Sequence, residues 1–204
     1  MNLPTIILLR HGQTLWNVEG CYQGQLNSDL TDLGKEQAKE NALKIEKFIG
    51  IVGFSPERNS FKFFSSPLGR AKETAYIICD TLGLDRENIL FDNNIQEVNY
   101  GIFEGKTKEF CKINHTKEFK ERESNKWSYA LEGGGESYEM VTKRLYLWLE
   151  RVKDEEIIVL VAHEMINRAL RGIYCAYDNN KMLNLRQNND IVLKLEKNQE
   201  HIIE

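Results

Sequence analysis

The feature that most constrains the fold of this 204-residue chain is a series of short, continuous apolar runs. The first, Thr5-Ile6-Ile7-Leu8-Leu9, begins with β-branched residues and shows no alternation of apolar and polar positions. Such a run is typical of a strand that is buried on both faces of a parallel sheet. Similar runs occur at Phe61 to Phe64, Ile89 to Phe91, Ile157 to Val161 and Ile191 to Leu195.

Several stretches between these runs have helical periodicity, with apolar residues that recur on one face. One such face is formed by Ala38, Ala42, Ile45 and Ile49, with Thr31 as the N-cap of the helix. The other two faces are Ala71, Ala75, Ile78 and Leu82, and Tyr138, Val141, Leu145, Trp148, Leu149 and Val152. Strands that alternate with helices predict an α/β fold, in which ligands bind at the carboxyl ends of the strands.

Composition excludes several functional classes. The chain has 27 Lys and Arg against 31 Asp and Glu, a net charge of −4, whereas nucleic-acid binders normally have a basic balance. Its four cysteines form no CxxC pair, and its four histidines form no zinc-ligand cluster. No apolar run approaches the ~20 residues needed to span a bilayer, and the N-terminus does not resemble a signal peptide. We therefore expect a cytoplasmic monomer or homodimer with reduced thiols and no nucleic-acid or membrane partner.

The whole chain, 1–204, is expected to form a single domain that contains one compositionally distinct segment. Residues 106–126 carry seven basic and four acidic side chains in a chain that is otherwise acidic. Their few large apolar residues make a second domain improbable, so we expect a helical insertion or lid at about 106–130. The alternative is an ordinary solvated helix face.

Three of the predicted strands are followed by residues that can bind an anion. Arg10-His11-Gly12 comes directly after the first apolar run, and His163 follows the run that ends at Val161. Arg70 lies in the first turn of a predicted helix, where the helix dipole disfavours a lone cation and an anion between the two is favoured. Although a single histidine at a strand end is more often structural, the three strand ends together predict a phosphate site.

The motifs of the chain resemble those of the histidine phosphatase superfamily, the phosphoglycerate-mutase-like proteins. They are Leu9-Arg10-His11-Gly12-Gln13-Thr14, Asn17, Gln23-Gly24, Leu30-Thr31, Gly34, Gln37-Ala38, Ser65-Ser66-Pro67, Arg70-Ala71, Thr74-Ala75, Glu97, Gly101, Glu104-Gly105, Gly135-Glu136-Ser137 and Ala162-His163. They follow the family's order over nearly the whole chain. The resemblance implies a three-layer α/β/α sandwich with a mostly parallel central sheet and a helical insertion over the active site.

The resemblance also implies roles for the residues at the strand ends. His11 corresponds to the family's nucleophile, whose neutral imidazole attacks phosphorus and forms a phosphohistidine. Arg10, Arg70 and His163 would hold the nonbridging oxygens and stabilise the charge of the transition state. Because protein cations fill this role, no metal and no other cofactor is expected.

Further residues of the motifs are candidates for substrate binding. Asn17 would add a neutral hydrogen-bond donor, and the Gly12 backbone could approach the substrate closely because it has no side chain. The remaining candidates are Gln23, Gly24 and Glu164.

Glu97 corresponds to the family's general acid, which protonates the leaving oxygen. To act near neutral pH it needs a pKa raised by burial, while neighbouring arginines would lower that pKa. The alternative is a structural carboxylate that pairs with an arginine. We assign Glu104 first to holding a loop or an arginine, and only second to chemistry.

Glu164 departs from the family pattern, because in many members glycine follows the second histidine. We expect its side chain to point outward and complement the helix dipole, since an uncompensated carboxylate beside a phosphate is costly. If it pointed inward, it could orient a water or bind a cationic part of the substrate.

Three functions remain open on the sequence. The first is a phosphatase that hydrolyses a small phosphomonoester, which we favour because the chain and its insertion are short for a mutase. The second is a cofactor-dependent phosphoglycerate mutase. The third, a non-catalytic protein that binds phosphorylated ligands, is disfavoured because all the candidate catalytic groups are present.

Overall fold

The computed structural model describes residues 3–50 and 61–204, and the strands in these ranges form one six-stranded sheet. The strands are β1 (Thr5–Arg10), β2 (Phe61–Ser65), β3 (Ile89–Phe91), β4 (Ile157–Ala162), β5 (Val192–Glu196) and β6 (Gln199–Ile203). Their order is β3-β2-β4-β1-β5-β6. The first four are parallel, whereas β5 runs antiparallel to both β1 and β6. The predicted α/β fold with a mostly parallel sheet is confirmed.

Each of the five predicted apolar runs forms a strand, but β6 was not predicted. This strand, Gln-Glu-His-Ile-Ile, is at one edge of the sheet, and most of its side chains are exposed. Lys197 and Asn198 join it to β5 and both have positive φ angles, of 49° and 62°. An edge strand that faces solvent needs no continuous apolar run, so it lacks the signal that marks the buried strands.

Eight α-helices accompany the sheet within the described ranges. They are α1 (Leu15–Glu19), α2 (Asp32–Ile49), α3 (Gly69–Leu82), α4 (Lys108–Asn114), α5 (Thr116–Ser124), α6 (Tyr138–Val152), α7 (Glu164–Tyr174) and α8 (Asn179–Asn184). Thr31 is the N-cap of α2, as predicted, and its side chain accepts a hydrogen bond from the Gly34 amide. The side chain of Ile49 lies outside the described part of the chain. None of the described helices has the length and apolar character needed to cross a membrane.

The sheet is covered by helices on both faces. Successive residues of β1 belong to different apolar clusters, with Ile6 and Leu8 in one and Ile7 and Leu9 in the other. The first cluster continues into α6 and α7, and the second into α2 and α3. This arrangement explains the continuous apolar runs, because a strand covered on both sides has no face for polar residues. The predicted three-layer sandwich is confirmed.

The segment predicted as an insertion contains α4 and α5, which lie between β3 and α6 in the chain. It packs on the first cluster through the buried Cys111 and the half-buried Phe119. The start of α4 is tied to the loop after α1, since the Lys108 amide donates to the Gly20 carbonyl oxygen at 3.1 Å. These contacts place the segment beside the carboxyl end of the sheet.

The packing of α6 on the sheet predicts a large difference between two adjacent residues. Trp148 is fully buried and meets the Phe64 ring edge-on at 5.6 Å, whereas the Leu147 residue is 66% exposed. We expect Trp148→Ala to lower the free energy of unfolding by about 3–5 kcal/mol, because it removes a buried ring and leaves a cavity. Leu147→Ala is the matched control and should cost no more than about 0.5 kcal/mol. Urea unfolding measures both changes, and equal losses would contradict this packing.

Candidate active site

The pairing of β1 with β4 brings the two strand-end histidines together. Arg10 is opposite Ala162 in this parallel pair, so His11 and His163 leave the sheet side by side. The centroids of their rings are 5.2 Å apart. β2 is the other neighbour of β4, and α3, which carries Arg70, begins shortly after it. The three predicted strand ends therefore meet at one edge of the sheet.

A cavity of about 370 Å³ opens at this edge. Eight of the residues predicted for the site lie in its wall, namely Arg10, His11, Asn17, Gln23, Gly24, Arg70, Glu97 and Glu164. Gly12 and His163 are not part of the wall. The insertion contributes Lys108, Phe119, Arg122, Glu123 and Lys126.

The hydrogen bonds of His11 define its proton position. Its Nδ1 is 2.8 Å from the carbonyl oxygen of Gly12. Since a carbonyl oxygen can only accept, the ring proton is on Nδ1 and Nε2 carries a lone pair. Burial lowers the pKa of His11 well below its usual value, and the charges of Arg70 and Arg10 lower it further. The imidazole is therefore neutral at physiological pH, with Nε2 available as a nucleophile.

Arg70 is held by backbone carbonyls and contacts His11 directly. Its Nη1 and Nη2 donate to the carbonyl oxygens of Leu26 and Gly24, each at 2.7 Å. Its Nε donates to His11 Nε2 at 3.2 Å. Burial lowers the pKa of Arg70 to about 10, so the guanidinium remains charged at neutral pH. Its remaining N–H donors are available to an anion in the cavity.

Arg10 and the backbone of His11 are anchored by a segment that the sequence did not mark as functional. Arg10 Nη1 donates to the Gln187 carbonyl oxygen at 3.1 Å. The Gln187 side chain donates to the Leu8 carbonyl oxygen at 3.0 Å, and Asn189 Nδ2 donates to that of His11 at 2.5 Å. These side-chain amides hold the end of β1 in place, and no sequence motif includes them.

His163 is fully buried behind the cavity wall. Its Nε2 is 2.7 Å from Ser66 Oγ, and its Nδ1 has no hydrogen-bond partner in the described part of the chain. Burial lowers the pKa of His163 well below its usual value, with further contributions from Arg70 and His11. The ring is therefore neutral, and the unpaired Nδ1 is a polar atom that a ligand beside His11 could engage.

Glu97 has the environment that a general acid requires. Its Oε1 accepts from the Val98 amide at 2.9 Å, and its Oε2 accepts from the Met165 amide at 3.3 Å. Burial raises the pKa of Glu97, although these two hydrogen bonds and the charge of Arg70 oppose the shift. The carboxyl group therefore holds a proton to higher pH than an exposed glutamate.

Glu104 holds two loops together, as its first assignment predicted. Its Oε1 accepts hydrogen bonds from the amides of Gln25 and Tyr100, at 2.8 and 3.0 Å. Gly24 lies against it with a φ of +55°, and a Cβ at that position would be 1.8 Å from Glu104 Oε1. Glycine is therefore needed at position 24 for this loop contact.

Gly12 and Gln23 make contacts within the protein that the sequence did not predict. The Gly12 amide donates to Thr74 Oγ1 at 3.0 Å, and a Cβ on Gly12 would be 2.2 Å from the Gly34 carbonyl oxygen. The absence of a side chain thus permits a close contact between Gly12 and α2. Gln23 Nε2 donates to Thr14 Oγ1 at 2.8 Å, so this amide group supports the loop after β1.

The side-chain amide of Asn17 has one atom in a structural hydrogen bond and one that can bind a ligand. Its Oδ1 accepts from the Thr14 amide at 3.0 Å, which completes a capping box at the start of α1. Because Oδ1 is used in this way, the Nδ2 group is the part of the side chain that can donate to a ligand in the cavity.

Glu164 lies in the cavity wall, so the expectation that it points outward is wrong. Its Oε2 is 3.1 Å from Arg10 Nη1, and its Oε1 is 3.0 Å from Arg168 Nη2. The expectation assumed an uncompensated charge, but these arginines compensate it. Arg168 is one helical turn after Glu164. This i,i+4 spacing in the sequence could have predicted the ion pair between Glu164 and Arg168.

Aromatic and basic residues that sequence analysis did not assign complete the wall. The rings of Tyr22 and Tyr100 are in contact, with centroids 4.8 Å apart and planes inclined by 48°. The Arg122 guanidinium lies 5.7 Å from the ring centroids of both Tyr100 and Tyr138. Arg122 belongs to the basic segment, so the charge excess of that segment was the available signal. Among the described residues, no group of three or more His, Cys, Asp or Glu side chains could hold a metal ion.

Solved structures with similar folds include phosphatases. The alpha-ribazole phosphatase from Shigella flexneri aligns with a TM-score of 0.77 at 20% identity, covering 97% of this chain and 94% of that chain. A mycobacterial glucosyl-3-phosphoglycerate phosphatase, in a structure with VO₃, aligns with a TM-score of 0.74 at 24% identity, covering 98% and 97%. At these identities the likeness establishes the fold.

Sequence relatives have mutase names. Phosphoglycerate mutase-like protein 4 of Arabidopsis thaliana is 32% identical over 168 residues, which are 81% of this chain and 68% of that protein. Probable phosphoglycerate mutase GpmB of Escherichia coli O139:H28 is 33% identical over 157 residues, 73% of this chain. The match spans only 63% of the length of the E. coli protein.

The family model of the histidine phosphatase superfamily (branch 1) matches residues 6–202, which include every residue of the cavity described above. By this match and by the relatives, the chain belongs to the histidine phosphatase superfamily.

Proposed function

We propose that this chain hydrolyses a small phosphomonoester and that His11 carries the phosphoryl group between the ester and water. The observation that carries the proposal is the neutral His11 with its lone pair on Nε2, beside Arg70 and in the wall of the same cavity as Arg10 and Glu97. This arrangement supplies a nucleophile, cations for the phosphoryl oxygens and an acid for the leaving group.

The first step forms the phosphoenzyme. His11 Nε2 attacks phosphorus, the ester P–O bond breaks, and the leaving oxygen takes the proton of Glu97. Arg70 exchanges its hydrogen bond to Nε2 for one to a phosphoryl oxygen, and Arg10 binds a second oxygen. The products are a phosphohistidine, an alcohol and an ionised Glu97.

The second step releases phosphate. Water attacks phosphorus while the Glu97 carboxylate takes one of its protons, and the P–N bond to His11 breaks. Inorganic phosphate leaves, and both side chains return to their starting protonation states. Glu97 thus acts as an acid in one step and as a base in the other.

The proposal includes a role as a lid for the segment at about 106–130. It contributes Lys108, Phe119 and Arg122 to the cavity wall and packs on the core through Cys111. A cytoplasmic location is also part of the proposal, and it is supported by four free cysteines, of which three are buried.

Replacement of the nucleophile should abolish the activity. We expect His11→Ala to lower kcat/KM for 4-nitrophenyl phosphate by more than about 10³-fold, because the covalent intermediate can no longer form. His201→Ala is the matched control, since His201 is exposed on β6 and should leave the rate unchanged. Assays with a chelator present measure both rates, and a fully active His11→Ala would overturn the nucleophile assignment.

Replacement of the general acid should depend on the leaving group. We expect Glu97→Gln to lower kcat/KM for an alkyl phosphate by about 10²–10⁴-fold, because the alkoxide needs a proton to leave. With 4-nitrophenyl phosphate the first step should continue and the water step should slow, so that acid-labile phosphoenzyme accumulates. Rapid-quench labelling measures this species. Glu109→Gln, an exposed carboxylate on α4, is the control.

The raised pKa of Glu97 and the lowered pKa of His11 predict a bell-shaped pH profile. The rate for an alkyl phosphate should fall on the alkaline side as Glu97 loses its proton, at a pH above the usual glutamate value of about 4.3. It should fall on the acidic side as His11 gains a proton, at a pH below about 6.5. The alkaline limb should disappear in Glu97→Gln, and its persistence there would assign it to another group.

Mutase activity is the second candidate, because both sequence relatives described above carry mutase names. It differs from hydrolysis only in the acceptor of the phosphoryl group. Incubation with 3-phosphoglycerate separates the two, since a mutase yields the 2-isomer whereas a phosphatase yields free phosphate. We expect no 2-isomer to form.

A further inference from the structure

Glu164 is shared by three guanidinium groups of the cavity wall. As the first residue of α7, it places Oε2 3.1 Å from Arg10 Nη1 and Oε1 3.0 Å from Arg168 Nη2. Arg186 Nη1 lies 3.7 Å from the same Oε1. All four residues line the cavity. One carboxylate therefore pairs with three guanidinium groups in the wall of the cavity.

Without this carboxylate, the three arginines would form an oxyanion site. Arginine is suited to carboxylates and phosphates because its N–H groups can bond two oxygens at once. Arg168 is nearly buried and is fixed by a second hydrogen bond, from its Nη1 to Tyr138 Oη at 2.8 Å. The Arg186 side chain is 66% exposed, so it can adjust to a ligand. The arginines thus form an anion site, and the Glu164 carboxylate occupies it.

We propose that Glu164 is a specificity-determining residue, which occupies the arginine cluster and so excludes a second anionic group of the substrate from the α7 side of the cavity. This inference rests on the proposed function of the same cavity. It deepens that function by naming the substrate class, a phosphomonoester with no anionic group on the α7 side of its phosphate.

The physical basis is competition between anions. A second oxyanion can pair with both Arg168 and Arg186 only if Glu164 gives up its ion pair with Arg168, and the displaced carboxylate then lies close to the ligand charge. The phosphoryl group can bind Arg10 without such a displacement. Arg10 uses Nη1 for its contacts with Gln187 and Glu164, and its guanidinium has further N–H donors. The exclusion agrees with hydrolysis better than with a reaction that binds a bisphosphate.

The test measures binding rather than turnover. Inorganic phosphate and methylenediphosphonate are titrated by calorimetry into the wild type and into Glu164→Gln. We expect the variant to bind methylenediphosphonate about tenfold more tightly or better than the wild type, the gain from one charge-assisted hydrogen bond. Its gain for inorganic phosphate should be several-fold smaller, since that ligand contacts Arg10 but does not reach Arg168 or Arg186. Circular dichroism shows whether the variant is folded.

Two further variants separate this effect from a general change of charge. Glu123→Gln removes one negative charge from the same wall, where Glu123 pairs with Lys126 instead, and should show no preference for the diphosphonate. The double variant Glu164→Gln/Arg186→Gln should lose most of the gain. Equal gains for both ligands in Glu164→Gln, or the same preference in Glu123→Gln, would overturn the inference. If no variant bound inorganic phosphate at all, the proposed function itself would fail.

Discussion

The site depends on the register of the parallel pairing between β1 and β4. With Arg10 opposite Ala162, both histidines leave the sheet at the same level and on adjacent strands. A slip of one residue would turn every side chain of β1 to the other face of the sheet. Burial on both faces prevents that slip, because alternate residues of β1 fill two different apolar clusters. The same packing that stabilises the sheet therefore sets the distance between His11 and His163.

Burial also sets the protonation states of the site. Removal from water disfavours the charged form of any group, so it lowers the pKa of His11 and raises that of Glu97. The two shifts bring the pH range in which His11 is neutral closer to the range in which Glu97 is protonated. The arginines lower the pKa of His11 further, whereas at Glu97 the charge of Arg70 opposes the effect of burial. One physical cause, burial, thus shifts the pKa values of the two groups in opposite directions.

Sequence reasoning was reliable where the signal is local. The apolar runs predicted five strands, and the motifs identified His11, Arg70 and Glu97 as residues of one cavity. It was unreliable where a role depends on partners that are distant in the chain. Glu164 points inward because Arg10 lies next to it. The residues around Glu164 in the sequence do not reveal that Arg10 is close in the fold.

Gly12 illustrates the same limit in a different way. The sequence suggested that its lack of a side chain serves a close approach to the substrate, but it did not reveal that the Gly34 backbone lies where a Gly12 side chain would be. The anchors Gln187 and Asn189 belong to no motif and follow no period, so only the folded chain identifies them. The polar edge strand β6 was missed because its exposed side chains carry no apolar pattern.

The anchoring of His11 by Asn189 also determines when the site can exist. These two residues are 178 positions apart in the chain, and β1 pairs with β4 and β5, which both come from its last third. Contacts of such long sequence separation form late, because the entropy of closing the loop must be overcome first. We therefore expect the position of His11 to be fixed only once β1 has paired with both β4 and β5.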